Sequence, residues 1–325
     1  MAGDPAPPCE ICANATGNTT LEAREMMFGR REPFTYRVCA GCGALRLLDP
    51  PDDWAPYYPA DYYAFAPTAP RQVGRARRYG KRALIRHAIG EGSALGALLG
   101  RRWRAPQFAE WMRRSDTKRS DPILDVGCGN GSLLVEMAAG GFTDLTGADP
   151  FIAADATPAP GVRVLKREMA DVEGVFRLVM MHHAFEHMPD PEGALRESAR
   201  LLAPGGHLLI RIPLAGTYAA RTYVRDWVQL DAPRHHVLHT ERSIALLAVR
   251  TGFDVESVVY DSSAFQFWAS EQYRRDIPLC DPRSHFVSPS ASSFSPEEIA
   301  AFQRQAEELN AAGDGDQAAF YLRRR

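Results

Sequence analysis

From residue 121 onward, short apolar runs alternate with longer amphipathic stretches. The runs indicate buried strands, and the stretches of about 10–13 residues between them indicate helices. The predicted strands cover residues 123–126, 145–149, 162–166, 177–181, 207–213 and 254–260. Strands that alternate with helices predict an α/β protein built on a doubly wound, mostly parallel sheet. Ligands of such sheets bind beyond the carboxyl ends of the strands.

The first predicted strand ends in a loop that carries glycine at alternate positions, Gly127, Gly129 and Gly131. Glycines at a strand-to-helix turn let the backbone approach a ligand closely, and the helix that follows offers free N–H groups. Dinucleotide-binding loops use the spacing G-x-G-x-x-G, which is one residue longer at the second interval. The spacing therefore disfavours a nicotinamide-dependent reductase.

Two acidic residues accompany this loop. Asp125 directly precedes it, and Asp149 ends the second predicted strand. A carboxylate at Asp125 would repel a pyrophosphate but would favour a cationic ligand, and S-adenosylmethionine carries both a sulfonium and an amino group. Asp149 could accept hydrogen bonds from both ribose hydroxyls of such a cofactor, although nicotinamide enzymes use the same device.

The segments ILDVGCGNG, GADP, LVMMHHAFEHMPDP and LLAPGGHLLIRIP, between about residues 121 and 260, resemble the class I S-adenosylmethionine-dependent methyltransferases. The resemblance implies a Rossmann-like, doubly wound, seven-stranded sheet and S-adenosylmethionine as cofactor. It also implies that Glu168 and Met169 flank the adenine and that His182 or His183 lies near the methyl donor. Cys128 and Pro150 fall within the matching segments and complete the predicted cofactor site.

Four cysteines near the amino terminus form two C-x-x-C pairs, Cys9 with Cys12 and Cys39 with Cys42. This spacing predicts a four-thiolate zinc ribbon, with four unrelated thiols as the alternative. A structural zinc would stabilise a unit that is too small to have a sufficient core. We predict a ribbon and irregular linker over residues 1–65, a basic helical segment over 66–120, and a methyltransferase domain over 121–325.

A narrower resemblance involves both ends of the chain. The cysteine pairs, YYPADYY, WVQLDAPRHHVLHT and the ending GDQAAFYL are similar to methyltransferases that modify bacterial surface polysaccharides and sugars. This resemblance implies O-methylation of a sugar hydroxyl in glycan or nucleotide-sugar biosynthesis. The alternatives are an RNA methyltransferase, a small-molecule natural-product methyltransferase and a non-catalytic scaffold.

Two histidine clusters follow the fourth and fifth predicted strands, and histidine is the natural base near neutral pH. We predict His235 as the catalytic base, with Asp231 orienting its ring and Arg234 holding an anionic part of the substrate. His183 is the alternative base, and Glu186 could contact the substrate. Each of these histidines could instead make a structural hydrogen bond, and a catalytic metal is possible although the spacing does not require one. The two clusters comprise His182, His183 and His187, and His235, His236 and His239.

Residues 71–119 carry fourteen Lys and Arg against three acidic residues, about +11, in a chain whose net charge is -2. We expect these helices to pack the ribbon onto the main domain, while an anionic partner such as a phosphate-bearing substrate, RNA or a membrane face is the alternative. The amino terminus lacks the features of a secretory signal, and no apolar run is long enough to span a membrane. These features predict a cytoplasmic protein with reduced cysteines.

A sheet of this class closes with a final antiparallel strand, and two segments could supply it. We favour residues 317–325 over 263–273, which makes residues 261–316 an insertion. Its one clear helix would begin with Ser295 as N-cap and Pro296 at the first position. Five residues of the insertion would then lie over the mouth of the site, where aromatic faces could stack on a sugar: Phe265, Phe267, Trp268, Glu271 and Tyr273.

Overall fold

The structure is a computed structural model that describes residues 8–59 and 74–325. The end of the predicted linker and the start of the basic segment lie outside the described residues. The strands are β1 (Thr19–Arg24), β2 (Pro33–Val38), β3 (Leu45–Leu47), β4 (Ile123–Val126), β5 (Leu145–Ala148), β6 (Ala156–Ala159), β7 (Val162–Leu165), β8 (Phe176–His182), β9 (Leu202–Pro213), β10 (Val237–Leu238), β11 (Phe253–Tyr260) and β12 (Gln317–Arg324). The helices are α1 (Arg75–Ala88), α2 (Ala94–Gly100), α3 (Gln107–Arg114), α4 (Ser132–Gly140), α5 (Pro191–Leu201), α6 (Tyr218–Tyr223), α7 (Glu241–Arg250), α8 (Phe265–Arg274) and α9 (Pro296–Ala312).

The central sheet has the strand order β11-β12-β9-β8-β4-β5-β7-β6. Strands β7, β5, β4, β8 and β9 run parallel, whereas β12 is antiparallel to both of its neighbours. This mixed sheet confirms the predicted Rossmann-like α/β fold. The prediction of seven strands omitted β6, a short antiparallel strand at the edge beside β7.

All six strands predicted from the apolar runs are present, with bounds that differ mainly at β9. The segment APGG was predicted as a turn before a strand at 207–213, but β9 already begins at Leu202. Its pairing with β8 is irregular between Phe176 and Leu178, where the extra residues of β9 are accommodated. The glycines therefore lie within a bulged strand, which is a position that favours glycine.

The terminal segment forms the closing strand, as predicted. Strand β12 inserts between β9 and β11, with Phe320 opposite Ile210 on one side and Val258 on the other. Its first six residues are all buried. The alternative segment, residues 263–273, forms most of helix α8 instead.

Alternate residues of the central strands face opposite layers of helices, because side chains of a strand point to the two faces in turn. Leu124 and Val179 belong to the cluster that packs against α5 and α7, whereas Ile123 and Leu178 face α1, α3 and α4. The basic segment therefore contributes its apolar side chains, such as Met112, to the second layer. This corrects our expectation that the basic helices pack the ribbon onto the main domain.

The amino-terminal strands form a second sheet, β1-β2-β3-β10, whose last strand comes from the loop after β9. Val237 pairs with Arg46, and the Tyr36 hydroxyl donates to the His235 carbonyl oxygen at 2.9 Å. The Thr240 hydroxyl donates to the carbonyl oxygen of Cys42. The cysteine-bearing unit is thus joined directly to the loop that carries the second histidine cluster.

The insertion folds as predicted in one part and differently in another. Helix α9 begins at Pro296, with a capping box in which Ser295 and Glu298 bond each other's backbone N–H. The residues expected over the mouth of the site are packed elsewhere: Phe267 lies in the core of the amino-terminal sheet, and Trp268 and Tyr273 lie in a neighbouring buried cluster. Their helical spacing places them on the buried side of α8, so they are not available to stack on a sugar.

None of the described helices is long and apolar enough to cross a membrane.

Candidate active site

The glycine loop after β4 adopts left-handed backbone conformations, with φ values of 72° at Gly127, 53° at Gly129 and 77° at Gly131. A Cβ atom at Gly127 would lie 2.6 Å from the Cβ of Ala184, and one at Gly131 would lie 2.5 Å from Val164 Cγ2. Two of the glycines are therefore required by both backbone conformation and packing.

Asp125 lies at the end of β4 and is 3% exposed. Burial, followed by the nearby negative charge of Asp149, raises the pKa of Asp125 to about 8. A buried carboxyl with a raised pKa favours the approach of a cation, which would restore its ionised form. The role of Asp125 beside a cationic cofactor stays a prediction.

Asp149 follows β5 and holds the glycine loop in place. Its two carboxylate oxygens accept the backbone N–H groups of Gly129 and Phe151, each at 2.9 Å. A carboxylate has lone pairs for further donors, so these bonds leave room for the predicted ribose contact.

The remaining predicted cofactor residues lie on loops beside the glycine loop. Glu168 is exposed and Met169 partly buried, at the turn after β7. Pro150 follows Asp149 directly. Cys128 packs its Sγ against Gly147 so closely that a Cβ atom added at Gly147 would lie 2.5 Å from this sulfur. Cys128 thus contributes a small apolar surface to the base of the loop.

His182, the last residue of β8, stacks on Trp111 with ring centroids 4.2 Å apart. Burial, with Arg211 and His183 as further causes, lowers the pKa of His182 to about 3, so its ring is neutral. Neither ring nitrogen has a hydrogen-bond partner in the described part of the chain. Trp111 lies on α3, and sequence analysis did not select it because its stretch showed only a basic helix.

His183 also follows β8 and has a φ of 50°, a conformation that is uncommon outside glycine and often occurs at functional sites. Its Nε2 accepts a hydrogen bond from Arg211 at 2.8 Å, so its proton is carried on Nδ1. That Nδ1 lies 3.4 Å from a carboxylate oxygen of Glu186. The pair brings two of the predicted site residues together.

Glu186 is completely buried in the turn after β8. Burial acts to raise its pKa, but His183, His235 and His187 outweigh this and lower it to about 2. Within residues 8–59 and 74–325, neither of its carboxylate oxygens accepts a hydrogen bond of normal geometry.

His235 and His187 face this carboxylate from two different loops. His235 Nε2 lies 3.9 Å from a Glu186 oxygen, and the two histidine rings lie 4.7 Å apart between centroids. A nitrogen or oxygen from each of these three side chains lies within 4.8 Å of the others. Burial lowers the pKa of His187 to about 4, so the His187 ring is neutral.

Arg234 differs from its predicted role. It is fully buried, and its guanidinium bonds both Asp231 and Glu25. These carboxylates satisfy the guanidinium inside the protein, so Arg234 is not placed to hold an anionic part of a substrate. Asp231, in a left-handed conformation with a φ of 39°, lies 3.8 Å from His235 Nε2 and remains close enough to influence it.

Glu271, also predicted to bind substrate, accepts the Tyr223 hydroxyl at 3.0 Å and pairs with Arg274. These partners belong to α6 and α8 rather than to the histidine clusters. Together with the burial of Phe267, Trp268 and Tyr273, this removes from the mouth of the site four of the five residues predicted to lie over it.

The four amino-terminal cysteines lie together, as their spacing predicted. Their Sγ atoms are all within 4.8 Å of one another, and the Cys9–Cys42 and Cys12–Cys39 separations are 3.7 and 3.4 Å. These separations are far longer than the roughly 2.05 Å of a disulfide bond. They are close to the roughly 3.8 Å between thiolates bound to one tetrahedral zinc with Zn–S bonds of about 2.3 Å.

Sequence analysis also missed partners that come from distant parts of the chain. Glu25 reaches Arg234 from the loop after β1, and Gln107 and Arg211 share the Asp261 carboxylate. No local pattern marks such residues, since each is an ordinary polar residue in its own segment. Only their tertiary neighbours show that they support the site.

The family model described as "Methyltransferase domain" matches residues 101–258. Over 122 residues the chain is 34% identical to the ubiquinone biosynthesis O-methyltransferase of Caulobacter sp. (strain K31), a match that covers 33% of this chain and 48% of that protein. Over 98 residues it is 36% identical to the enzyme of the same description from Rhizobium leguminosarum bv. trifolii, covering 27% and 38%. The chain thus spans about half or less of the length of these relatives. Residues 101–258 are thus similar to a methyltransferase domain.

Solved structures that the chain matches include a putative sarcosine dimethylglycine methyltransferase from Galdieria sulphuraria. That chain is 16% identical, with a TM-score of 0.43 and coverage of 75% of this chain and 97% of that one. An S-adenosylmethionine-dependent methyltransferase from Mesorhizobium loti is 18% identical, with a TM-score of 0.41 and coverage of 63% and 91%. TM-scores of this size do not by themselves establish a common fold.

Proposed function

We propose that this protein is an S-adenosylmethionine-dependent O-methyltransferase. The observation that carries the proposal is the arrangement at the carboxyl ends of β4, β5 and β8. There a glycine loop and two buried acids, Asp125 and Asp149, lie beside the buried Glu186 and a group of partly or fully buried histidines. The glycine loop and the two acids fit the cofactor, and the histidines with Glu186 fit activation of an acceptor hydroxyl.

The residues present fit S-adenosylmethionine because Asp125 is a buried carboxyl. Its pKa of about 8 would fall if a cation bound beside it. Asp125 and the loop from Gly127 to Gly131 would hold the amino acid end, Asp149 the ribose, and Glu168 and Met169 the adenine. His182 closes the site on the β8 side, where it stacks on Trp111. When bound, S-adenosylmethionine supplies an electrophilic methyl group on its sulfonium.

The acceptor hydroxyl must lose its proton as it attacks. We assign this activation to His235, supported by Asp231 and His183. His235 Nδ1 bonds the Gln229 carbonyl oxygen at 2.8 Å, which places its proton on Nδ1 and leaves the Nε2 lone pair open toward Glu186 and Asp231. Proton removal by a positioned group typically contributes 10²–10⁴-fold to rate.

We propose the acceptor first as a broad class, a hydroxyl on a small molecule, and then more narrowly as a sugar hydroxyl. A hydroxyl on a small molecule is supported by the polar cluster and by the relatives that are named O-methyltransferases. A sugar hydroxyl in glycan or nucleotide-sugar biosynthesis is our finer proposal and rests on the resemblance of the two chain ends. The burial of Trp268 and Tyr273 in α8 removes one support that sequence analysis gave to it.

We also propose that Cys9, Cys12, Cys39 and Cys42 bind one structural zinc ion. The separations between their Sγ atoms fit tetrahedral coordination, and three of the four side chains are buried. The zinc would hold together the two loops that carry the cysteines, beside the sheet that β10 completes.

The function is tested with S-adenosylmethionine labelled on its methyl group. Purified protein is incubated with separate panels of nucleotide sugars, phenolic hydroxyl compounds and RNA, and transfer of label is measured. Transfer to a hydroxyl compound supports the proposal, and the panel that accepts label identifies the acceptor class. Label transfer only to RNA, or binding of S-adenosylmethionine without transfer to any panel, would contradict it.

A further inference from the structure

In the part of the chain that the structure describes, the buried Glu186 carboxylate accepts no hydrogen bond, although two histidine nitrogens lie within 4 Å of it. The side chain of Glu186 is fully buried. Burying an uncompensated carboxylate is very costly, and buried charges in proteins are paired or bind metal ions. The nearest nitrogen, His183 Nδ1, lies at 3.4 Å, which is long for a charge-assisted hydrogen bond.

The two histidines that face Glu186 are both held by their Nδ1 atoms. His235 Nδ1 bonds the carbonyl oxygen of Gln229, and His187 Nδ1 bonds that of Arg234, each at 2.8 Å. A carbonyl oxygen only accepts, so both rings carry their protons on Nδ1 and have lone pairs on Nε2. Histidines that bind metal ions are oriented in this way, with the other nitrogen donating to a carbonyl or carboxylate.

The separations within the cluster are too long for direct hydrogen bonds. His235 Nε2 lies 3.9 Å from Glu186 and 3.8 Å from Asp231, beyond the limit of about 3.2 Å for an N–H···O bond. Ligands bonded to one metal ion at about 2.1 Å lie roughly 3–4 Å apart. One atom each from Glu186, His187 and His235 lies within 4.8 Å of the others, which is close to this range.

We propose that Glu186, His187 and His235 together bind one divalent transition metal ion, at a site separate from the four cysteines. Two imidazole nitrogens and one carboxylate are the donors of catalytic zinc sites, in which a further position is left open to water or substrate. Asp231 adds negative charge beside the site and is itself fixed by Arg234. His183 Nδ1 lies 3.4 Å from the same Glu186 carboxylate.

The catalytic role of this metal rests on the proposed function. A hydroxyl bound at the open position would have a lower pKa, because a metal ion stabilises the oxygen anion, and its proton would pass to solvent. In this arrangement His235 contributes to activation by binding the metal ion and not by taking the proton itself. Metal binding itself depends only on the geometry of the three side chains and can be measured without turnover.

The site is tested by equilibrating the protein with Zn²⁺, removing unbound ion by gel filtration and measuring zinc per chain. We expect two equivalents in the wild type, one for each cluster. Glu186→Gln and His235→Gln should each lose one equivalent and keep the other. Cys9→Ser combined with Cys42→Ser should also lose one, which separates the two sites.

Glu256→Gln is the matched control, because it removes a carboxylate from another histidine pair, His207–Glu256 at 2.9 Å, and should retain both equivalents. A wild type that binds only one zinc, or a Glu186→Gln variant that folds and still binds two, would overturn the site. If Glu186→Gln does not fold, the zinc stoichiometries of the wild type and of His235→Gln still test whether the second metal site exists.

Turnover separates this inference from the proposed function. Two equivalents of zinc in a protein that methylates no acceptor would support the metal site and contradict the proposed function. Full methylation by His235→Gln protein that holds one zinc would overturn the catalytic role of the metal and the assignment of His235, while leaving methyl transfer to a hydroxyl in place.

Discussion

At the scale of single residues, Asp125 titrates near neutral pH because it is buried beside another acid. Its pKa of about 8 lies well above the roughly 3.9 of an unfolded aspartic acid. The folded chain therefore holds more protons at this site than the unfolded chain between about pH 4 and pH 8. Across this range, Asp125 makes the folded state less stable as the pH rises.

This titration predicts that cofactor binding releases a proton. Asp125 is mostly protonated at pH 7, and a sulfonium or ammonium group beside it would favour the ionised form. Affinity for S-adenosylmethionine should rise as the pH increases toward about 8. Calorimetry in two buffers with different ionisation enthalpies should detect the released proton in the wild type but not in Asp125→Asn. Equal proton release in both would assign the proton to another group.

Asp149→Ala and Gly129→Val should each abolish S-adenosylmethionine binding while the domain stays folded. The first removes the ribose acceptor and the carboxylate that holds the N–H groups of Gly129 and Phe151. The second adds bulk at a residue with a φ of 53°, where backbone must meet ligand. Calorimetric titration and circular dichroism check both points, and wild-type affinity in both variants would contradict the cofactor assignment.

His235→Ala should lower methyl transfer roughly 10²–10⁴-fold and leave the affinity for S-adenosylmethionine unchanged. The reason is that His235 Nε2 faces Glu186 and Asp231 rather than the glycine loop. His207→Gln, which alters a histidine paired with Glu256, is the control and should retain activity. Turnover close to that of the wild type in His235→Ala would move the role to His183.

At the scale of secondary-structure elements, strand β12 at the chain end closes the central sheet. It bonds β9 and β11 at once, so its loss would separate β11 from the rest and expose a long edge. Its position was predictable because Phe320 and Leu322 alternate with Tyr321 near the chain end. The fate of 263–273 was not, since its aromatic residues fit either a strand or a helix.

Deletion of residues 317–325 should therefore destabilise the whole domain and lower its melting temperature. Deleting Arg325 alone is the matched control, because it leaves every residue of β12 in place. Thermal unfolding followed by circular dichroism compares the two proteins. An unchanged melting temperature and unchanged activity in the longer deletion would mean that β12 is not needed to close the sheet.

At the scale of the whole molecule, the cysteine-bearing unit and the second histidine cluster form one structure. Strand β10 begins two residues after His235 and completes the amino-terminal sheet, and Tyr36 bonds the His235 carbonyl oxygen. Glu25 from the same unit neutralises Arg234. The amino-terminal unit thus positions residues of the candidate active site in addition to binding the proposed zinc.

Loss of the ribbon zinc should consequently reduce both stability and turnover. In the variant with Cys9→Ser and Cys42→Ser, we expect a lower melting temperature and weaker methyl transfer, because structural zinc contributes about 10–16 kcal/mol to folding of small zinc units. Cys280→Ser, at an exposed position, is the control. A double variant with wild-type melting temperature and turnover would show that the unit needs no metal and does not support the site.

The sequence by itself determined the sheet and the cofactor loop. Apolar runs such as 123–126 form strands because burying them on both faces removes apolar surface from water, and this driving force depends on local pattern. The glycines at 127, 129 and 131 and the paired cysteines are equally local, since each follows from short-range geometry. These features could be predicted from windows of a few residues.

Only the tertiary structure decided which polar residues face one another. Glu186 and His235 lie on loops separated by β9, and Arg234 is neutralised by Glu25, which lies 209 residues earlier in the chain. Electrostatic pairing acts over a few ångströms in space, so its partners are fixed by the fold and leave no trace in sequence spacing. For this reason, the sequence placed Arg234 and α8 at the substrate, whereas the folded chain buries them and gathers Glu186, His187 and His235 into one cluster.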